Sequence, residues 1–136
     1  MDREREIANL ADEFELDLIM MFGSRARGQQ RGDSDTDVAV RGKGVFSFDD
    51  RLKLAVRLDR FFPNVDLIDI RDASPLLLAA VGQDGTLIYQ RRESLFEEFK
   101  IFAWNQYMDF KPTLELLRHK NKEAMRELDM SDESED

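Results

Sequence analysis

Read by its hydrophobic and polar positions alone, the chain switches repeatedly between two periods. Residues 2–15 carry Ile7, Leu10, Ala11 and Phe14 among charges, the three-and-four spacing of one helix face. The chain then enters an apolar stretch at 16–22, whose core at 18–22 is an unbroken run ending at Gly23, the pattern of a buried strand that stops abruptly. A second strand opens on Asp35, Thr36 and Asp37 and continues through Val38, Ala39 and Val40. Gly42 and Gly44 mark a turn within 41–44, and Ser47 is placed to cap a helix with Asp49 and Asp50 in its first turn. That helix is predicted over 48–62, with Leu52, Ala55, Val56, Leu58, Phe61 and Phe62 as its apolar positions and Pro63 as its stop.

Residues 65–70 read as a third strand. Ser74 caps a short helix over 75–81, a turn follows at 82–85, and residues 86–90 form a last strand. From residue 93 the period is helical again, with Leu95, Phe96, Phe99, Phe102, Ala103, Tyr107 and Phe110 on a wide apolar face. Pro112 is expected to interrupt this helix and to begin a second one over 113–128. The aromatic residues of the pair, Trp104 included, have two uses: docking on the domain or contact with a partner.

These elements predict an α/β (α+β) fold, a small mixed β-sheet flanked by helices. The chain has 136 residues, enough for one core and short for a separate substrate domain. One domain is expected over residues 1–128, including the C-terminal helices at 93–128, with 129–136 as a disordered acidic tail. The net charge of −9 is concentrated there: six of the 29 acids lie in the last ten residues, which leaves 23 acids against 20 bases elsewhere, or −3. A mildly acidic body disfavours general nucleic-acid binding. The absence of cysteine excludes a disulfide framework and a thiolate metal site. With no apolar run near the roughly 20 residues of a membrane span and no signal-peptide core, the expected location is cytoplasmic, away from membranes. His119 stands in a polar stretch and reads as surface.

The chemistry concentrates in residues 18–40. Gly23 allows the backbone to approach a ligand, Ser24 adds a hydroxyl, and the free N–H groups that follow suit a phosphate. Ten residues later Asp35 and Asp37 share one face of a strand, where two carboxylates repel unless a cation lies between them. Oxygen ligands of this kind favour Mg²⁺ or Mn²⁺, and a two-ion arrangement suits in-line phosphoryl displacement. Arg25 and Arg27 beside the turn are candidates for pairing with phosphate oxygens, and Arg31 sits further along a loop shaped by Gly28 and Gly32. In the third strand, alternation puts Asp66 with Ile68 and Asp69 with Leu67, so only one of the two carboxylates can join the pair.

The pattern Gly23, Ser24, ten residues, Asp35, Thr36, Asp37 resembles the signature of the polymerase-beta-like nucleotidyltransferases. The short length makes the chain similar to the minimal nucleotidyltransferase (MNT) antitoxins that pair with HEPN ribonuclease toxins. The resemblance implies a third acid at the position of Asp66, giving Asp35, Asp37 and Asp66 as catalytic and metal-binding residues and Gly23, Ser24, Arg25 and Arg27 as the phosphate-binding set. It further implies ATP as substrate, Mg²⁺, as two ions in the family's scheme, as cofactor, and transfer of AMP to a tyrosine hydroxyl of a cognate HEPN toxin. Two other functions fit the same residues. One is an antitoxin that masks its toxin by contact, and the other is a nucleotidyltransferase for a small hydroxylated molecule such as an aminoglycoside.

Overall fold

The computed structural model describes residues 2–23 and 35–134, with side chains through residue 127. Helix α1 (Arg3–Glu13) starts where Asp2 caps the Glu4 N–H, and it buries Ile7, Leu10 and Ala11. Strands β1 (Leu18–Phe22) and β2 (Thr36–Arg41) pair antiparallel. Helix α2 (Phe48–Leu58) crosses over to β3 (Val65–Asp69), which lies parallel to β2. A 3₁₀ turn (Ile70–Asp72) leads to α3 (Pro75–Asp84), then to β4 (Thr86–Gln90), which pairs antiparallel with β1. Helix α4 (Leu95–Ser134) ends the described chain.

The result is a four-stranded mixed sheet in the order β3-β2-β1-β4, with helices on both faces. Odd and even positions of the strands feed two separate cores. Ile19, Val38 and Val40 pack with α1 and α2, including Leu10, Leu54 and Leu58. Leu18, Met20, Phe22 and Ala39 pack with α3 and α4, including Val81, Phe96 and Phe99. Covering both faces explains why β1 is apolar throughout instead of alternating. No described helix is long and apolar enough to cross a membrane.

The structure departs from the sequence reading in α2 and α4. In α2 the buried positions are Leu54 and Leu58, followed by Phe62, whereas Leu52 and Val56 are 50% and 66% exposed. The helix carries two apolar stripes, Phe48-Leu52-Val56 and Leu54-Leu58-Phe62, roughly a third of a turn apart. The sequence reading named Leu52 and Val56 but passed over Leu54, which packing against β2 buries completely. Beyond Leu58 the chain leaves the helix, so the predicted span to residue 62 is too long.

Helix α4 is continuous for 40 residues with Pro112 inside it, in place of the expected break, and it runs past residue 128 to Ser134. A proline removes one backbone donor, but at an exposed position the freed carbonyl is satisfied by water. Only the first turns dock: Leu95, Phe96, Phe99 and Ala103 are buried, while Ile101, Phe102, Trp104 and Met108 are exposed. Phe96 and Phe99 dock on the domain, whereas Phe102 and Trp104 do not. His119 is on the surface, in an exposed pair with Glu123.

Candidate active site

Three strand ends meet at one corner of the sheet, and the sequence dictates why. β2 starts with Thr36, fully buried, whose hydroxyl donates to the Pro63 carbonyl at 2.6 Å while its N–H donates to Asn64. The Val65 N–H in turn donates to Asp59 Oδ1 at 2.9 Å, so the entry into β3 is tied to the end of α2. These bonds fix the register in which Asp37 of β2 lies beside Asp66 of β3 and opposite Phe22 of β1. Thr36 had no role in the sequence reading; its position between two aspartates, on the opposite strand face, is the signal that marks it as their anchor.

Gly23 follows Phe22 directly, with φ of +82°, a conformation that L side chains rarely adopt. A Cβ there would fall on Asp37 Oδ2. Glycine is thus required twice, once by the backbone and once by the carboxylate packed against it.

The electrostatics single out Asp37. Burial pushes its carboxyl above the ordinary value, and the charge of Asp66, a hydrogen bond shared with Asp66 and the charge of Asp35 push the same way. Asp35 is exposed just before β2, and Asp66 is exposed on β3. Among the described residues no three His, Cys, Asp or Glu side chains stand together as a ready-made metal cage. What is assembled is the Asp37–Asp66 pair, with Asp35 acting on it through space. Two carboxylates on neighbouring strands repel each other, and a divalent cation between them would offset that repulsion, so the residues fit Mg²⁺.

Asp69, the rival third acid, does something else. It is 2% exposed on the opposite strand face, and its carboxylate accepts from the Phe46 N–H at 2.8 Å and the Arg71 N–H at 3.0 Å. It is a structural cap for the end of β3. Ser24, Arg25, Arg27 and Arg31, with Gly28 and Gly32, lie outside the described residues.

A Gly turn closes one strand against acids on the next two, and comparison with known proteins says which family carries it. The profile of the family "Polymerase beta, Nucleotidyltransferase" matches residues 5–94. The chain belongs to this nucleotidyltransferase family. It is similar to the protein adenylyltransferase MntA of Shewanella oneidensis strain MR-1, with 36% identity over 84 residues. That match spans 60% of this chain and 60% of the relative, less than two thirds of its length. Among solved structures, a chain of a toxin-antitoxin complex with AMP-PNP matches with a TM-score of 0.75 at 27% identity, covering 89% of this chain and 99% of that one. A chain of an MntA-HpeT toxin-antitoxin mutant matches with a TM-score of 0.73 at 26% identity, covering 90% and 99%. The nucleotidyltransferase fold therefore extends through most of α4, beyond the segment that the family profile covers.

Proposed function

We propose that this nucleotidyltransferase is an antitoxin that transfers AMP from ATP to a tyrosine hydroxyl of a cognate HEPN ribonuclease toxin, silencing it. The observation that carries the reading is the Asp37–Asp66 pair held in register against Gly23. Similarity to a protein adenylyltransferase and to toxin-antitoxin chains supports the choice of ATP and of a protein acceptor.

In this reading Gly23, Ser24 and the following backbone hold the β- and γ-phosphates, with Arg25 and Arg27 neutralising them. Asp35, Asp37 and Asp66 hold Mg²⁺. Bound there, the metal supplies charge neutralisation for the phosphates and for the oxygens that enter and leave. Asp66, exposed at the edge of the pair, accepts the proton of the tyrosine hydroxyl as its oxygen attacks the α-phosphorus. The bond from that phosphorus to the bridging oxygen breaks, and pyrophosphate departs. The chain's contribution is position and charge, which is what phosphoryl-type transfer requires.

ATP labelled in the α-phosphate or in the γ-phosphate tests the reaction. Label from the α position on the toxin supports adenylyl transfer; label from the γ position would make the chain a kinase and overturn the proposal. The exposed Ile101, Trp104 and Met108 of α4 favour a second reading, in which contact alone masks the toxin. Neutralisation by a variant unable to transfer label would select it.

A further inference from the structure

At the opposite end of the same sheet face lies a cavity of about 610 Å³ that the transferase site does not use. Arg41 closes β2 there, four residues and roughly 13 Å along the strand from Asp37. Arg41, Arg71 and Arg92 line the cavity on one side, and Leu95, Phe99 and Phe102 line it on the other. Two carboxylates balance these three guanidiniums. Asp17 stands 3.7 Å from Arg41 Nε and 4.0 Å from Arg71, too far for hydrogen bonds, and also 3.7 Å from Arg91, which Asp12 pairs as well; Glu98 pairs with Arg92 at 2.7 Å. A positive charge is left over in a chain whose net charge is −9.

Arg41 is the unusual member. Its Nε is buried and has no hydrogen-bond partner among the described residues. That atom is sealed from the cavity and faces Asp17; the side chain as a whole is 18% exposed. Burial lowers the affinity of Arg41 for its proton; the neighbouring Arg71 and Arg92 add to this, and Asp17 and Glu98 oppose it. The other two arginines are already oriented: Arg71 Nε donates to the Gly42 carbonyl at 2.8 Å, and Arg92 is held by Glu98. Little further ordering is needed for them to meet an anion.

We propose that this cavity is a second ligand site, taking the phosphate of a mononucleotide-sized phosphate monoester, with its flat ring against Phe102. The volume lies in the range of small-molecule sites. Phosphate oxygens offset the charge surplus and match the planar forks of the guanidiniums. Phe102 is 49% exposed at the rim and offers a face for stacking. The inference is independent of what the aspartate site transfers.

Calorimetric titration of the full chain with AMP, and separately with inorganic phosphate, tests it. EDTA is included so that no metal-dependent binding at the aspartates contributes. AMP is expected to bind, to weaken about tenfold or more in Arg41→Ala and in Arg92→Ala, and to be unchanged in Asp37→Asn combined with Asp66→Asn. Arg92 is well exposed, so its variant folds even if the Arg41 variant does not. Phe102→Ala should weaken AMP and leave inorganic phosphate unaffected. Inorganic phosphate binding as tightly as AMP would overturn the ring contact and leave a free-phosphate site. Absence of binding by both ligands, or binding that the arginine variants retain, would overturn the site itself.

Discussion

Replacing Asp37 with asparagine should stabilise the metal-free protein while abolishing transfer. Asp37 and Asp66 occupy partnered positions on neighbouring strands, whose axes lie about 5 Å apart. Two full charges at that separation repel by about 1 to 3 kcal/mol for effective dielectric constants between those of water and of a protein surface. Asp66 is exposed, so screening puts the value near 1 kcal/mol. Asp37→Asn keeps the shape and removes one charge, and in a domain of this size the gain corresponds to about 3 to 5 °C in Tm.

The pH dependence follows from the raised carboxyl of Asp37. The folded chain holds this proton more tightly than the unfolded chain does. The group's contribution to metal-free stability is therefore lost as pH rises from the ordinary aspartate range through the raised value. The advantage of Asp37→Asn should be present at pH 7 and should vanish as pH falls to the ordinary range. Mg²⁺ reverses the order, because it binds the folded wild type and rewards the charged form; at a hundredfold excess over Kd it adds about 2.7 kcal/mol. Thermal melts from pH 3 to 8, with EDTA or with Mg²⁺, measure all of this. A metal-free Asp37→Asn protein less stable than wild type at pH 7, or equally stabilised by Mg²⁺, would refute the reasoning.

Five other substitutions probe the pair and the frame around it. Gly23→Ala should cost about 1 to 2 kcal/mol in chemical denaturation for its left-handed backbone. Because the added methyl displaces the Asp37 carboxylate, transfer should fall about a hundredfold as well. Asp69→Ala leaves the Phe46 and Arg71 N–H groups without their acceptor, and denaturant midpoints should show a loss of about 2 to 3 kcal/mol. Transfer per folded molecule should change little, in contrast to Asp66→Asn, which should lose it. Leu54→Ala should cost about 2 to 5 kcal/mol at a fully buried site. Leu52→Ala, two residues earlier on the other stripe of α2, should stay within about 0.5 kcal/mol.

The corner proposed as the transferase site was legible in the sequence because its determinants are local. Gly23 ends an apolar run, Asp35 and Asp37 share a strand face by simple alternation, and strand β4 was predicted at its observed bounds of Thr86 and Gln90. Asp66 and Asp69 were less legible: alternation separates them but does not say which face meets Asp37. That depends on the parallel register of β2 and β3, a long-range property set partly by the Thr36 and Pro63 contact. The stripe of α2 that faces the core depends likewise on tertiary packing, which buries Leu54, a position the sequence reading passed over in favour of Leu52. Pro112 was misread for a different reason. Its usual effect as a helix breaker fails where the rest of the helix face is solvated and the lost bond is cheap. The arginine cavity left no local trace at all, since Arg41, Arg71 and Arg92 come from three separate elements.

The central claim is tested most directly by the intact mass of a cognate HEPN toxin incubated with this chain, ATP and Mg²⁺, beside the same mixture with Asp35→Asn, Asp37→Asn protein. The account predicts that the toxin gains whole AMP units and loses ribonuclease activity only with the wild-type chain. An unchanged mass in both mixtures, with the toxin still silenced by the double variant, would contradict it and assign neutralisation to contact alone.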